Sequence, residues 1–419
     1  MDQSNTNVSK HYAILIIGLL FFIFGFVTWL NATLIPYLKI SCELSNFESL
    51  FVAFAFYISY FVLALPSSWL LKKTGFKNGM SLGLASMAIG SLLFIPAALL
   101  RAYPLFLTGL FIQGAGLSIL QTAANPYVTI VGPIESAAKR ISIMGIANKV
   151  AGIISPLILG AVVLKDADVI TEKIQLLDVV AKAAELDSLS HRVIVPYIII
   201  AATLVVLSVL IKLSKLPEAD GVDQDGNSEA SRKSIFKYPY LWLGVLALFL
   251  YVGAEVIAVD TIINYGNSVG IPFSSSKFFA SFTLFAMVAG YLAGIALIPK
   301  YLSQQKALAL VAALGFVFSG AALFTGGLTS VLFIALLGFA NALMWPAIWP
   351  LSIVGLGKHT KTGSALLIMA IAGGATLPLL YGALSDAPGI GTQYAYVILL
   401  PCYLYIFFFA SKGHKYGKK

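Results

Sequence analysis

The chain has 419 residues, of which 59% are hydrophobic and 11% charged, with a mean hydropathy of +0.91. A soluble domain carries about 25% charged residues, so a cytosolic enzyme is excluded and an all-α protein of the lipid bilayer is expected. The net charge of +9 by itself would suggest a nucleic-acid partner, but the charges fall between apolar blocks, and their sidedness accounts for them without one.

In chain order, a polar segment (Met1 to His11) leads into the first apolar block without a small-residue cleavage site, as a cytoplasmic tail does. Apolar blocks follow at 13–38, 49–71, 79–100, 104–131, 141–164, 193–213, 240–265, 278–298, 306–325, 329–356, 363–385 and 393–411. Each reaches the ~20 residues that a helix needs to cross hydrocarbon, and none alternates as barrel strands do. Twelve transmembrane helices place both termini on one side. That side and its loops carry 19 of the 27 Lys and Arg, against seven on the other, so the positive-inside rule puts both ends in the cytoplasm of a multi-pass (inner) membrane protein.

The stretch 214–237 is rich in Gly, Ser, Asp and Pro and reads as a flexible cytoplasmic linker. It divides the chain into a six-helix half at 1–213, a linker at 214–239 and a six-helix half at 240–419. In the long outer loop 165–192, the spacing of Ile174, Leu177, Val180 and Ala184 predicts a short surface helix. Cys42 and Cys402 lie too far apart in sequence to suggest a disulfide framework, and no CxxC or His-rich cluster offers a metal site.

The two halves repeat. Span 5 (GIISPLILGA, 152–161) matches span 11 (GATLPLLYGA, 374–383) at an offset of 222, pairing Gly160 with Gly382. Spans 4 and 10 align at 224, with Gly114 opposite Gly338 and Gln121 opposite Trp345; spans 1 and 7 align at 228, with Ala32 opposite Asp260. Two parallel halves joined by a cytoplasmic linker make the major facilitator architecture, in which substrate binds at the midplane between rocking halves.

The runs LNATLIPYLK (30–39), QTAANPYV (121–128), RISIMGIANK (140–149), YVGAEV (251–256), GLGKHTKTGSALL (355–367) and GGATLPLLYGALSD (373–386) resemble the fucose–galactose–proton symporter family, nearest its glucose/galactose transporter branch. The resemblance covers nearly the whole chain. It implies a hexose carrier working by cation symport, with no cofactor and no enzymatic activity, and with a sugar and the bilayer as partners. Two departures stand out: where proton-coupled members carry carboxylates in spans 1 and 4, this chain has Ala32 and Gln121. Na+ is therefore expected over H+ as coupling ion. An uncoupled uniporter and a transporter-like sugar sensor are the alternatives. A monomer is expected.

Three charged side chains lie well inside apolar blocks: Lys149, Glu255 and Asp260. An intramembrane charge is costly and normally faces a cavity or a partner. Lys149 is nine residues beyond Arg140, roughly 13 Å along a helix, and is expected to pair with a carboxylate across the cavity, the competing reading being snorkelling. Asp260 stands at the repeat position of Ala32, so it is expected to be the coupling carboxylate and a Na+ ligand, with Thr261 and Asn264 adding oxygens. The competing reading places Asp260 at the wet outer end of span 7. Glu255 serves either coupling or helix packing, and five residues put it ~140° around the helix from Asp260.

A sugar site needs planar hydrogen-bond partners and an aromatic face. Gln113, Gln121 and Asn125 recur at helical spacing on span 4, and the resemblance adds Asn31 and Asn148. Asn341, Trp345 and Trp349 recur likewise on span 10, predicting an amide-rich wall on the first half and an aromatic wall on the second. Trp29 fits either the site or a membrane anchor.

Overall fold

A computed structural model of the chain describes residues 3–130, 137–214, 235–298, 300–356 and 359–417, with backbone alone at 3–14, 72, 125–130, 137–142, 360 and 361. Residues 215–234 of the proposed linker lie outside the described residues. Among them there are helices and no strands, and twelve helices are long and apolar enough to span a membrane. Span 1 is Leu15–Ser41, span 2 Asn46–Leu71, span 3 Lys73–Leu99, span 4 Tyr103–Ala124, span 5 Ile143–Val163 and span 6 Val179–Leu213. Span 7 is Pro239–Asp260, span 8 Phe273–Leu297, span 9 Gln304–Phe324, span 10 Gly327–Ile353, span 11 Thr362–Asp386 and span 12 Gly391–Ser411.

Spans 2 and 3 join through Gly75, whose φ of 77° needs a residue without a Cβ. In the first half, span 1 packs on span 5 and span 4 on spans 2 and 3; in the second, span 7 packs on span 11, span 8 on span 10 and span 9 on span 12. The halves meet along span 5 against span 8 and span 2 against span 11. The sequence repeat has a packing counterpart. A Cβ on Gly114 would overlap the Phe56 carbonyl of span 2, and one on Gly338 would overlap the Thr283 carbonyl of span 8. Both glycines therefore mark backbone-to-backbone crossings at equivalent places.

Several spans are broken. Span 1 breaks at Leu30, span 7 is followed by a new helix after Thr261, and span 10 breaks between Asn341 and Met344. The loop after span 5 holds two helices where one was expected, Ala167–Lys173 and Val179–His191, the second running into span 6. Lys182 pairs with Glu43, and Arg101 with Asp187 at 3.5 Å, which fastens this helix over neighbouring loops.

At the face opposite the termini, two carboxylates cross between halves. Asp386, closing span 11, accepts hydrogen bonds from the Asn46 and Phe47 backbone N–H groups at 3.3 and 2.7 Å, and from the Asn46 side-chain amide at 2.7 Å. Asp168, just beyond span 5, accepts from the N–H groups of Phe273 at 2.7 Å and Ser274 at 3.0 Å. In each case the backbone donors are free N–H groups in the first turn of the helix that opens span 2 or span 8.

Candidate functional site

Between the halves, on the side of these clasps nearer the termini, lies a cavity of about 330 Å³. Its charged centre is an ion pair. Lys149 of span 5 places Nζ 2.7 Å from Glu255 Oε1 of span 7, and each side chain is only 9% exposed. The pairing expected for Lys149 is present, and its partner is Glu255, not Asp260. The ammonium also sits 4.2 Å from the centroid of the Trp29 ring. Trp29 is held in turn, since its Nε1 donates to Asn148 Oδ1 at 3.4 Å while Asn148 Nδ2 donates to the Phe21 carbonyl at 3.4 Å. The indole belongs to the site and is 3% exposed.

On the first half, Gln121 Nε2 donates to Tyr60 Oη at 3.1 Å, and Tyr60 stacks with Tyr57 at 6.4 Å. On the second half, Trp345 and Trp349 stack at 5.4 Å with 25° between their planes. Their helix carries Pro350, which has no N–H to give the Pro346 carbonyl four residues earlier. Gln304 of span 9 supplies that bond, donating from Nε2 at 2.7 Å.

Six of the expected site residues therefore line one cavity: Gln121, Asn148, Lys149, Glu255, Trp345 and Trp349. The side chain of Asn125 lies outside the described residues. Gln113 does not reach the cavity; its Nε2 donates to Ser91 Oγ at 2.7 Å, between spans 3 and 4. A separation of eight leaves it ~80° around the helix from Gln121, enough to face another neighbour. Asn341 is fully buried and accepts from Tyr403 Oη at 3.0 Å, because the break after it ends the face it would share with Trp345. Asn31 is likewise fully buried and outside the cavity lining, with no hydrogen-bond partner among the described residues. The expected contrast of walls is also corrected. The first-half wall has lost two amides to helix packing and gained Phe21, Phe24, Trp29, Tyr57 and Tyr60, so both walls are aromatic.

Asp260 is not at a wet helix end. It is fully buried just outside the cavity lining, and neither carboxylate oxygen has a hydrogen-bond partner among the described residues. Thr261 does not turn its hydroxyl to it. That group donates to the Ile257 carbonyl at 2.6 Å and lies 2.8 Å from Tyr396 Oη. Asn264 faces a separate small cleft with Asn46 and Thr392. Among the described residues, no three His, Cys, Asp or Glu cluster as metal ligands do.

Sequence reasoning missed the tyrosines. Tyr57 and Tyr60 share one face of span 2 at a spacing of three, and Tyr251 lies one turn before Glu255, so helical spacing from a known site residue would have found the last. Tyr291 of span 8 carries no such signal.

Residues 17–378 match the family model of the Major Facilitator Superfamily. The chain is 35% identical to a glucose/galactose transporter of Brucella abortus, an alignment covering 99% of this chain and 97% of that one. It is 32% identical to the L-fucose-proton symporter of Escherichia coli over 93% of this chain and 90% of that one. The crystal structure of the major facilitator superfamily transporter FucP in its outward conformation matches with a TM-score of 0.71 at 31% identity, over 96% and 98% of the two chains. With twelve spans, a cavity between two halves and these matches over nearly its whole length, the chain belongs to the major facilitator superfamily: it is a membrane transporter and not an enzyme.

Proposed function

We propose that the protein imports a hexose of the glucose/galactose type by cation symport, with Na+ favoured over H+. The observation that carries the sugar reading is the cavity. It lies between the halves, is walled by Trp29, Trp345 and Trp349 for the C–H face of a sugar ring, and offers the amides of Gln121 and Asn148, which donate and accept at once. Its volume falls at the small end of ligand pockets, roughly 300–1,000 Å³. Relatives named as glucose/galactose transporters support the same substrate class.

Asp260 is the proposed coupling group. A fully buried carboxylate without a partner is strongly destabilising unless a cation or proton neutralises it. Ala32 and Gln121 cannot ionise, which supports sodium, whereas a relative named as a proton symporter keeps H+ in contention. The excess of Lys and Arg on the terminal side supports cytoplasmic termini in the cell (inner) membrane. The clasped face is then the outer one, and the cavity belongs to an inward-facing monomer with two six-helix halves, 1–213 and 240–419.

Uptake of labelled hexoses into proteoliposomes under separate Na+ and H+ gradients tests this. Accumulation above the outside concentration is expected with Na+. Accumulation with H+ alone overturns the ion assignment. Equilibration without accumulation under either gradient makes the protein a uniporter, and binding without counterflow makes it a sensor.

A further inference from the structure

We propose that the Lys149 ammonium is a built-in counter-cation for Glu255, so that the sugar cavity is electrically complete without an ion from solution. The inference rests on reading this cavity as the sugar site, and it assigns different work to the two carboxylates of span 7. Lys149 and Glu255 come from opposite halves and meet at 2.7 Å inside the cavity wall, where each side chain is 9% exposed. At that separation and burial, removing either partner strands a charge in a poorly solvated place.

The ammonium is also positioned from its other side. Trp29 presents its ring face to Nζ at 4.2 Å, and Asn148 fixes the indole through Nε1. Lys149 is thus held by groups on spans 1, 5 and 7, and does not extend towards either membrane surface as a snorkelling lysine would.

Among the described residues, the other titratable groups around Glu255 are Tyr57 of span 2, Tyr251 and Asp260 of span 7, Tyr291 of span 8 and Tyr403 of span 12. None is cationic. The phenols can donate hydrogen bonds but bring no counter-charge, and Asp260 adds repulsion. Any Na+ or H+ reaching Glu255 must compete with an ammonium already in contact with Oε1. Asp260, five residues on, has no such cation among the described residues. Glu255 is therefore served from within the chain, and exchange with solution is left to Asp260.

Hexose affinity of the purified full-length protein, read by tryptophan quenching across pH and Na+ concentration, tests the proposal. Lys149→Gln should lose affinity at least tenfold at neutral pH and low Na+, then recover on acidification or added Na+ by more than the wild type gains, because Glu255 must now recruit its cation. Lys149→Arg should restore the wild-type shape of both profiles even where its affinity is lower. Lys149→Gln with Glu255→Gln should bind at least threefold more tightly than the worse single variant.

A Lys149→Gln profile parallel to the wild type, or a double variant no better than the worse single, overturns the counter-cation. Absence of hexose binding by the wild-type protein at any pH or Na+ level sinks the sugar reading instead, so the two failures are distinguishable.

Discussion

Asp386 and Asp168 hold the same face of the molecule shut in the same way, yet they are not equivalent residues. Their receivers do correspond. Phe47 opens span 2 and Phe273 opens span 8, an offset of 226 that sits between the offsets relating the other spans. The carboxylates are 218 apart, whereas their spans align at 222, so one clasp is displaced by about a helical turn. The span 11 position of Asp386 corresponds to Leu164, one residue past span 5, which is buried. A helix start offers free N–H groups whatever its side chains are, so only a carboxylate within reach is required. The repeat has kept the receiver and let the donor of charge drift.

The two clasps also differ in tightness. Asp386 accepts three hydrogen bonds and Asp168 two. Beside Asp386, a Cβ on Gly382 would come within 2.9 Å of the Phe47 Cα, while one on the repeat-related Gly160 would meet nothing nearer than 3.7 Å. Span 11 thus lies hard against span 2, and span 5 has slack against span 8.

The largest effect should come from removing both clasps. Hydrogen bonds to a charged acceptor contribute about 1.5–3 kcal/mol each, and every ~1.4 kcal/mol shifts an equilibrium tenfold. In a chain whose only thiol is Thr33→Cys, fully buried in the wild type, Asp168→Ala with Asp386→Ala should raise maleimide labelling from the clasped face tenfold or more. As a single change, Asp386→Ala should exceed Asp168→Ala; equal labelling rates would erase the asymmetry.

The glycines give a smaller, independent reading of the same contrast. Gly382→Ala should speed labelling several-fold by forcing spans 2 and 11 apart, and Gly160→Ala by less than twofold. A reversed order would show that closeness of backbone does not set the closure.

The smallest effect concerns Cys42, in the turn between spans 1 and 2. Burial pushes its thiol above the usual range, so less thiolate is present at neutral pH and alkylation should climb as pH rises. Asp386→Ala should hydrate this turn and raise the neutral-pH rate about twofold, leaving Asp168→Ala near the wild type. Identical pH–rate curves for all three proteins would separate Cys42 from the clasp.

The twelve spans were legible because each is a continuous apolar run, and a run needs no knowledge of its neighbours. Lys149 and Glu255 were legible for a related reason: a charge in such a run must have a partner. The partner's identity was not, because it depends on how two distant spans are rotated. Gln113 and Asn341 show where spacing fails, the first through accumulated helix rotation and the second through a break that ends its face. The clasps left little trace in sequence, since their receivers, the Asn46 amide apart, are backbone atoms.

One hydrogen bond reaches further than its place suggests. The Pro346 carbonyl, freed by Pro350, is held by Gln304 from outside the cavity. The helix that carries the tryptophan pair thus has a backbone acceptor satisfied by a neighbouring helix, through a side chain that does not line the cavity. On the proposed sugar reading, selection for a new preference can therefore act at Gln304, a residue outside the cavity lining, while every lining residue stays the same.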